Sequence, residues 1–273
     1  MISEKTLVTL LCVFVVTLAG GSRNTYSQTD IPAITNPSAD VILSFVQAGR
    51  IAKVHVVEGG SVKADELLVQ LDDSVDQAQL AQIKAESEDT TQIEASLASL
   101  EQKKVDLKKL EKAAARDAAT ELEVEHAKLD VKIAELSLEV AKFQHEQAKR
   151  KYEEFKIRVE NMRLKSPIDG RIEKINVETG ESVNALAEVV RVVQIDPLWL
   201  DVHVPLEKAS TLKNEKGAKI IFPGSEKVSA EGKIIYIAAV ADAASDTLRV
   251  RIEVPNKSSR PAGEHVTVVF SNP

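Results

Sequence analysis

Two periods of hydrophobicity alternate along the chain. The stretch Gly49-Arg50-Ile51-Ala52-Lys53-Val54-His55-Val56 sets Ile51, Lys53 and His55 against Val54 and Val56, as a half-buried strand does. It runs on through Val57-Glu58-Gly59-Gly60-Ser61-Val62. The pattern then recurs as Gly170-Arg171-Ile172-Glu173-Lys174-Ile175-Asn176-Val177, followed by Glu178-Thr179-Gly180-Glu181-Ser182-Val183. Over about 14 positions the two copies keep the same order of Gly, Arg, Ile, Lys, Val, Gly, Ser and Val, with Ile175 in the first Val place of the second copy. Each copy is expected to turn at Gly59 or Gly180, where a positive φ costs glycine nothing. A second apolar run follows each turn, at 67–71 and 189–193. A lone hairpin is marginal in water, so the two copies are expected to close on each other around one core.

Between the copies the period changes. Residues 73–160 hold neither Pro nor Gly, a strong helix signal. Leu122, Leu129, Leu136 and Phe143 recur every seven residues, with Ile133 and Val140 at the positions four later. In the first half Ile93, Leu97, Leu100 and Leu107 keep matching four-three spacing. Together they read as a coiled-coil seam, and the Glu and Lys around them as a solvated face with i,i+4 pairing. The seam weakens from Ala113 to Thr120, where Arg116-Asp117 interrupts small residues and Thr120 can cap a new helix above Glu123. Two antiparallel helices of about 40 residues, joined there, give a rod about 60 Å long. Its ends must meet between the two repeat copies, which suggests reach between two places and not a pocket.

After the second copy, Leu198–Val204, Lys219–Phe222, Gly232–Ile237, Leu248–Val254 and Val266–Phe270 alternate again, separated by Asn-, Pro- and Gly-rich turns. Five or six short strands at this spacing predict a small β-barrel, with Trp199 in its core.

Composition narrows the address. The net charge of −7 with no basic stripe argues against nucleic acid. Met1–Lys5 followed by the apolar Thr6–Leu18 and the small Ala19-Gly20-Gly21-Ser22 reads as an export signal cut near residue 21. An uncleaved anchor is the alternative, although the run falls short of the roughly 20 residues that span a bilayer. The single cysteine, Cys12, lies inside this segment, so the mature chain would have no disulfide. Residues 22–39 mix Ser, Thr, Asn and Pro without apolar periodicity and read as a tether.

The order of hairpin, coiled-coil hairpin, hairpin and barrel resembles the periplasmic adaptors of tripartite efflux pumps, including the HlyD-like and RND-type membrane fusion proteins. The Gly-Arg-Ile-x-Lys-Val/Ile repeats resemble the two halves of that family's lipoyl-like domain, and Leu164-Lys165-Ser166-Pro167-Ile168-Asp169-Gly170 the start of its second half. Asp196-Pro197-Leu198-Trp199 is similar to the family's entry into the barrel, and Asp246-Thr247-Leu248-Arg249-Val250-Arg251, with Asn256 and Pro261-Ala262-Gly263, to its closing strands. The expected protein is an elongated multidomain α+β chain. A signal peptide (1–21) and tether (22–39) precede a lipoyl-like β-sandwich, split into 40–72 and 163–195 by an inserted antiparallel coiled-coil α-hairpin (73–162). A β-barrel (196–273) follows.

The resemblance implies a scaffold without catalytic residues, metal or cofactor. It would form a periplasmic ring, commonly of six, between an inner-membrane transporter of RND or ABC type and an outer-membrane TolC-like channel. Its coiled-coil tip, with Arg116 and Asp117, would dock on the channel. Where pumps using such a channel carry Arg, then Leu four later, then Ser seven beyond, this chain has Lys109, Ala113 and Thr120. Those departures put the identity of the channel in question. The turn that lines the pore in related assemblies carries Glu181, so a ring would gather carboxylates. Some members end in a membrane-proximal domain; with the chain ending at Pro273, that domain is expected to be short or absent.

The rival readings are weaker. A lipoyl or biotin carrier needs Asp-Lys-Ala or Met-Lys-Met, and neither tripeptide occurs. The five histidines, His55, His126, His145, His203 and His265, lack ligand spacing. No Gly-x-Ser-x-Gly, His-Glu-x-x-His or phosphate loop is present. A stand-alone periplasmic coiled-coil scaffold would differ only in its partners.

Overall fold

The computed structural model describes residues 30–214, 216–223 and 228–270. The expected signal peptide and the first part of the expected tether lie outside them. The chain opens with β1 (Asp30–Ser44), β2 (Gly49–Val54), β3 (Ser61–Val62) and β4 (Leu67–Leu71). Three helices follow, α1 (Ser74–Glu88), α2 (Thr91–Ala114) and α3 (Glu121–Glu160). Then come β5 (Arg163–Lys165), β6 (Gly170–Ile175), β7 (Ser182–Val183) and the long β8 (Glu188–Pro205). The chain continues through a single turn of helix, α4 (Leu206–Ala209), to β9 (Gly217–Ile221), β10 (Ser229–Ile237), β11 (Thr247–Val254) and β12 (His265–Phe270).

The barrel is closed. Its strands run in the order β1-β12-β9-β10-β11-β8, and β1 pairs β8 to complete the ring. Inward positions alternate along each strand, so Leu200, Val202, Val204, Ile220, Ile234, Val250, Ile252 and Val268 form one core. Two expectations change here. Residues 30–39, read as tether, are strand and supply the barrel with Ile31 and Ala33. Trp199 is not a core residue: it points outward, half-buried beneath the Arg251 guanidinium, which lies 4.6 Å from the ring centroid.

The β-sandwich has its own core of Phe45, Ile51, Leu68, Leu71, Ile172, Val189 and Val192. It shares both long strands with the barrel, because β1 and β8 stay paired from Thr35↔Leu200 to Ser44↔Glu188. The register shifts between Pro37 and Ala39, opposite the cis Asp196–Pro197 peptide. Both repeat copies also share a bulge, in β2 between Ile51 and Lys53 and in β6 between Ile172 and Lys174. The extra residue turns Val54 and Ile175 back toward the core side occupied by Ile51 and Ile172. Simple alternation places them on opposite faces.

The helical insert is an antiparallel hairpin, α1 and α2 ascending and α3 descending. Its descending arm is one helix of 40 residues, about 60 Å long. The ascending arm is not the single helix that its composition suggests, because it breaks at Asp89, which is extended at φ −72°, ψ 116°.

Candidate docking surfaces of the hairpin and its base

The hairpin is anchored by a reciprocal crossing of the two repeats. β2 pairs β4 of its own copy and β7 of the other, while β6 pairs β8 and β3 in the same way. Gly59, at φ 78°, and Gly180, at φ 91°, end their turns with N–H groups aimed at the opposite copy. Glu58 Oε1 accepts the N–H of Ile175 at 2.9 Å, and Asp169 Oδ1 accepts that of Ala64 at 2.8 Å. Arg50 pairs with Asp72 and Arg163 with Asp73 where the helices leave and return.

Along the rod the structure reverses the expected seam. The face of α3 that meets the ascending arm is built from Ala127, Ala134, Leu138 and Ala141, then Phe155 and Val159 nearer the root. Leu122, Leu129, Ile133, Leu136, Val140 and Phe143 instead lie outside, 48–64% exposed. The reason is distance. Alanine at every seventh position lets two helices approach closely, and the larger residues then fall on the neighbouring stripe. On α2, Leu100 is buried and Ile93 packs beside it, whereas Leu97 and Val105 are exposed. A groove of about 420 Å³ opens between α2 and α3, lined by Gln92, Ser96, Ile133, Leu136, Ser137 and Val140. A second, charged groove nearer the tip includes Lys103, Asp106, Glu123, His126 and Asp130. The Lys103–Asp130 pair across it, at 2.8 Å, raises the pKa of Lys103.

The tip is a five-residue turn from Ala115 to Ala119. Ala113 O accepts N–H groups from Arg116 at 3.0 Å and Ala118 at 2.9 Å, and Asp117 adopts a left-handed φ of 54°. Thr120 and Glu123 form the capping box: Thr120 Oγ1 accepts the N–H of Glu123, and Glu123 Oε2 accepts that of Thr120 at 2.7 Å. The Thr120 N–H holds the Glu123 carboxyl below its usual range. Arg116 and Asp117 are exposed beyond the helices, Ala113 is half-buried, and Lys109 sits a turn lower, paired with Asp106 at 3.4 Å. Glu181 is far away in sequence and fold, on the sandwich turn; its carboxylate accepts the N–H of Glu178 at 2.9 Å and faces solvent.

On the barrel, Arg251 forms a two-pronged pair with Asp201, at 2.8 and 2.9 Å, while stacking on Trp199. The hydrogen bond from Arg251 lowers the Asp201 pKa. Asn256, buried, ties the junction by donating to Ile195 O and Arg260 O. Among the described residues no three His, Cys, Asp or Glu side chains gather as a metal site, and no helix is long and apolar enough to cross a membrane. What the hairpin offers is surface. The signals missed in the sequence were the heptad-spaced alanines 127, 134 and 141, and the polar run around Asp89.

Comparison with known proteins agrees with this architecture. The RND MFP barrel-sandwich hybrid domain matches residues 44–195, and the CusB-like β-barrel domain matches residues 197–272. The putative membrane fusion protein SilB of Salmonella typhimurium is 30% identical over 94 residues, which make up 34% of this chain and 22% of that protein. The crystal structure of MacA from Actinobacillus actinomycetemcomitans superposes with a TM-score of 0.75 at 18% identity, over 89% of this chain and 78% of that one. The membrane fusion protein Spr0693 of Streptococcus pneumoniae R6 gives 0.58 at 14% identity, over 90% and 99%. These two likenesses are of fold. The barrel-sandwich match covers more than half of the chain, split halves and inserted hairpin included, and the protein is therefore a member of the RND membrane fusion protein family, the periplasmic adaptors of efflux pumps.

Proposed function

We propose that this chain is an exported periplasmic adaptor that links an inner-membrane transporter, of RND or ABC type, to a TolC-like outer-membrane channel. The observation that carries the reading is a rod rooted in a closed base whose outer face is apolar where a free rod would be polar. Leu122, Leu129, Leu136 and Phe143 keep heptad spacing on the solvent side, and such a stripe is matched by another helix. Neither arm of its own hairpin covers it.

The occupant we assign is a second copy of the chain. The hairpin exposes Leu97 and Val105 on α2 as well as the α3 stripe, so the stripe of one copy can meet the α2 line of the next. Where its rotation closes, such a head-to-tail contact forms a ring, expected to hold six copies. The exposed tip, with Lys109, Ala113, Arg116, Asp117 and Thr120, then faces the channel. The barrel faces the transporter, and Glu181 would contribute a circle of carboxylates. The transporter supplies the energy, and the adaptor supplies sealing geometry.

The experiment is a cross-linked pull-down of the tagged full chain from its native envelope. Recovery of a transporter and a channel together supports the adaptor reading. Recovery of the chain alone, under conditions that preserve other pumps, overturns it in favour of a stand-alone scaffold.

A further inference from the structure

The barrel and the β-sandwich have separate cores, around Leu200 and Val250 in one and Phe45 and Ile172 in the other. Modules that share no large apolar interface move relative to each other by default. Among the described residues only β1 and β8 run through both, and their pairing fails where they cross from one to the other. Ala39↔Gln194 is the last pair on the sandwich side and Pro37↔Leu198 the first on the barrel side. Ile195, Asp196 and Pro197 therefore pass Ser38 with no register partner in β1, β6 or β11. Pro37 and Pro197 have no N–H to give to a ladder. A two-stranded crossing interrupted in this way is built like a hinge, in which a few residues absorb the backbone rotation.

The loop from Pro255 to Glu264, between β11 and β12, spans this crossing. Near its start Asn256, 4% exposed, grips the unpaired stretch of β8. The Asn256 N–H donates to Asp196 Oδ1 at 2.8 Å, and its Nδ2 donates to Ile195 O at 2.8 Å. The same side chain closes the loop on itself. Nδ2 donates to Arg260 O and Oδ1 accepts the Arg260 N–H, both at 2.9 Å. At its far end the loop holds β1 on the barrel side. Buried Thr35 accepts the N–H of Gly263 at 2.7 Å and donates its own to Glu264 O at 3.0 Å, while Thr35 Oγ1 accepts the Glu264 N–H at 3.0 Å. Arg260 ties the middle of the loop to the barrel. Its guanidinium lies 4.5 Å from the centroid of the buried Phe222 ring and pairs with Glu264 at 2.9 Å.

We infer that the 255–264 loop is a brace across a latent hinge, with Asn256 as its positioning residue, so that barrel and sandwich turn as one body. Both amide hydrogens of Asn256 are used and its oxygen accepts a third bond, so no other side chain of its size can replace it. The bonds to Ile195 and Asp196 lie in neither core, so their loss frees the crossing while both cores stay packed. One consequence rests on the adaptor reading: a braced base works as a lever. A tilt of the base by about 1° carries the end of a rod about 60 Å long through about 1 Å. The brace itself does not depend on what either end of the chain meets.

The test uses the full chain with Cys12→Ser and spin labels at Lys219→Cys on the barrel and Lys174→Cys on the sandwich, both exposed sites. A control pair, Lys219→Cys with His203→Cys, lies wholly on the barrel. Each pair is expected to give one narrow label-to-label distance distribution in the parent. Asn256→Ala should broaden the barrel-to-sandwich distribution and leave the control pair unchanged. A broad barrel-to-sandwich distribution in the parent, or an unchanged one in Asn256→Ala, overturns the brace. If Asn256→Ala broadens the control pair as well, Asp196→Ala decides, since it removes only the exposed acceptor of the Asn256 N–H. Broadening of the barrel-to-sandwich pair alone then supports the brace, and any other result overturns it. These distances are read without a transporter or channel, so their outcome is separate from that of the pull-down.

Discussion

Gly59 donates its backbone N–H to the carbonyl of Ile172 at 2.8 Å, and the second repeat returns the bond at the same distance, from Gly180 to Ile51. The adjoining pair is reciprocal too: Ile172 donates to Gly60 O and Ile51 to Glu181 O, at 2.9 and 2.8 Å. Each copy thus completes the sheet of the other. The helical insert leaves and re-enters a base that exists only when both halves are present, so the rod is held at its root on two sides.

That crossing sets different demands on the glycines. A Cβ on Gly59 or Gly180 meets nothing within 4 Å, so alanine there costs only the left-handed backbone, about 1 kcal/mol. A Cβ on Gly170 would lie 2.6 Å from the carbonyl oxygen of Val193, a backbone atom that cannot yield. Gly170→Ala is therefore expected to lower the urea midpoint clearly more than Gly59→Ala or Gly180→Ala. Equal effects would contradict the close approach of β6 and β8.

The reversed seam separates stability from assembly. Leu138→Ala removes a buried side chain and should destabilise the hairpin by about 2 kcal/mol or more. Leu129→Ser with Leu136→Ser removes exposed side chains and should leave the monomer within about 0.5 kcal/mol of the parent. Analytical ultracentrifugation is expected to show weaker self-association in the double variant. Undiminished association would mean that the stripe serves something other than a second copy.

The tip can be tested without disturbing its turn. Asp117 carries a left-handed φ, so Asp117→Gly removes the carboxylate and relieves the backbone at once. Combined with Arg116→Ala it should leave helicity unchanged and reduce efflux. Thr120→Ala removes the cap and should cost about 1 kcal/mol, seen as fraying of the first turn of α3. Full efflux from the Arg116→Ala/Asp117→Gly chain would count against docking through these residues.

The Asp201–Arg251 pair predicts a pH dependence of definite sign. Both side chains are less than a third exposed, and Arg251 holds the Asp201 carboxyl below its ordinary value. A depressed folded pKa contributes stability above the unfolded value of about 3.9 and loses it as the pH falls through the folded value. Asp201→Asn should be less stable than the parent by about 1 kcal/mol at neutral pH, with the gap closing below about pH 4. A gap that persists in acid would assign the loss to the packing of Arg251 over Trp199 instead of charge.

The repeats, the interrupting helical segment and the later strands were legible because each rests on local chemistry. Glycines 59 and 180 mark turns, the Gly- and Pro-free run marks helix, and alternation marks β9 to β12. Thr120 and Glu123 announced their capping box for the same reason. The first strand was missed because Asn36-Pro37-Ser38 reads as loop. There β1 changes register as it passes from barrel to sandwich, and its hydrogen bonds come from distant β8 and β12. The break at Asp89 was hidden because no proline or glycine makes it; two side-chain bonds do.

By itself, then, the amino-acid sequence determined the order of the modules, the root of the rod and its length, since period, glycine placement and helix rise are local properties. It also determined that α3 carries a heptad of large apolar residues, though not which way that heptad points. Only the tertiary structure decided that. Ala127, Ala134 and Ala141 share the seven-residue spacing, and two stripes with one period cannot be ranked by period. Close approach of the helices favoured the small side chains inside and left Leu129, Leu136 and Phe143 for another surface.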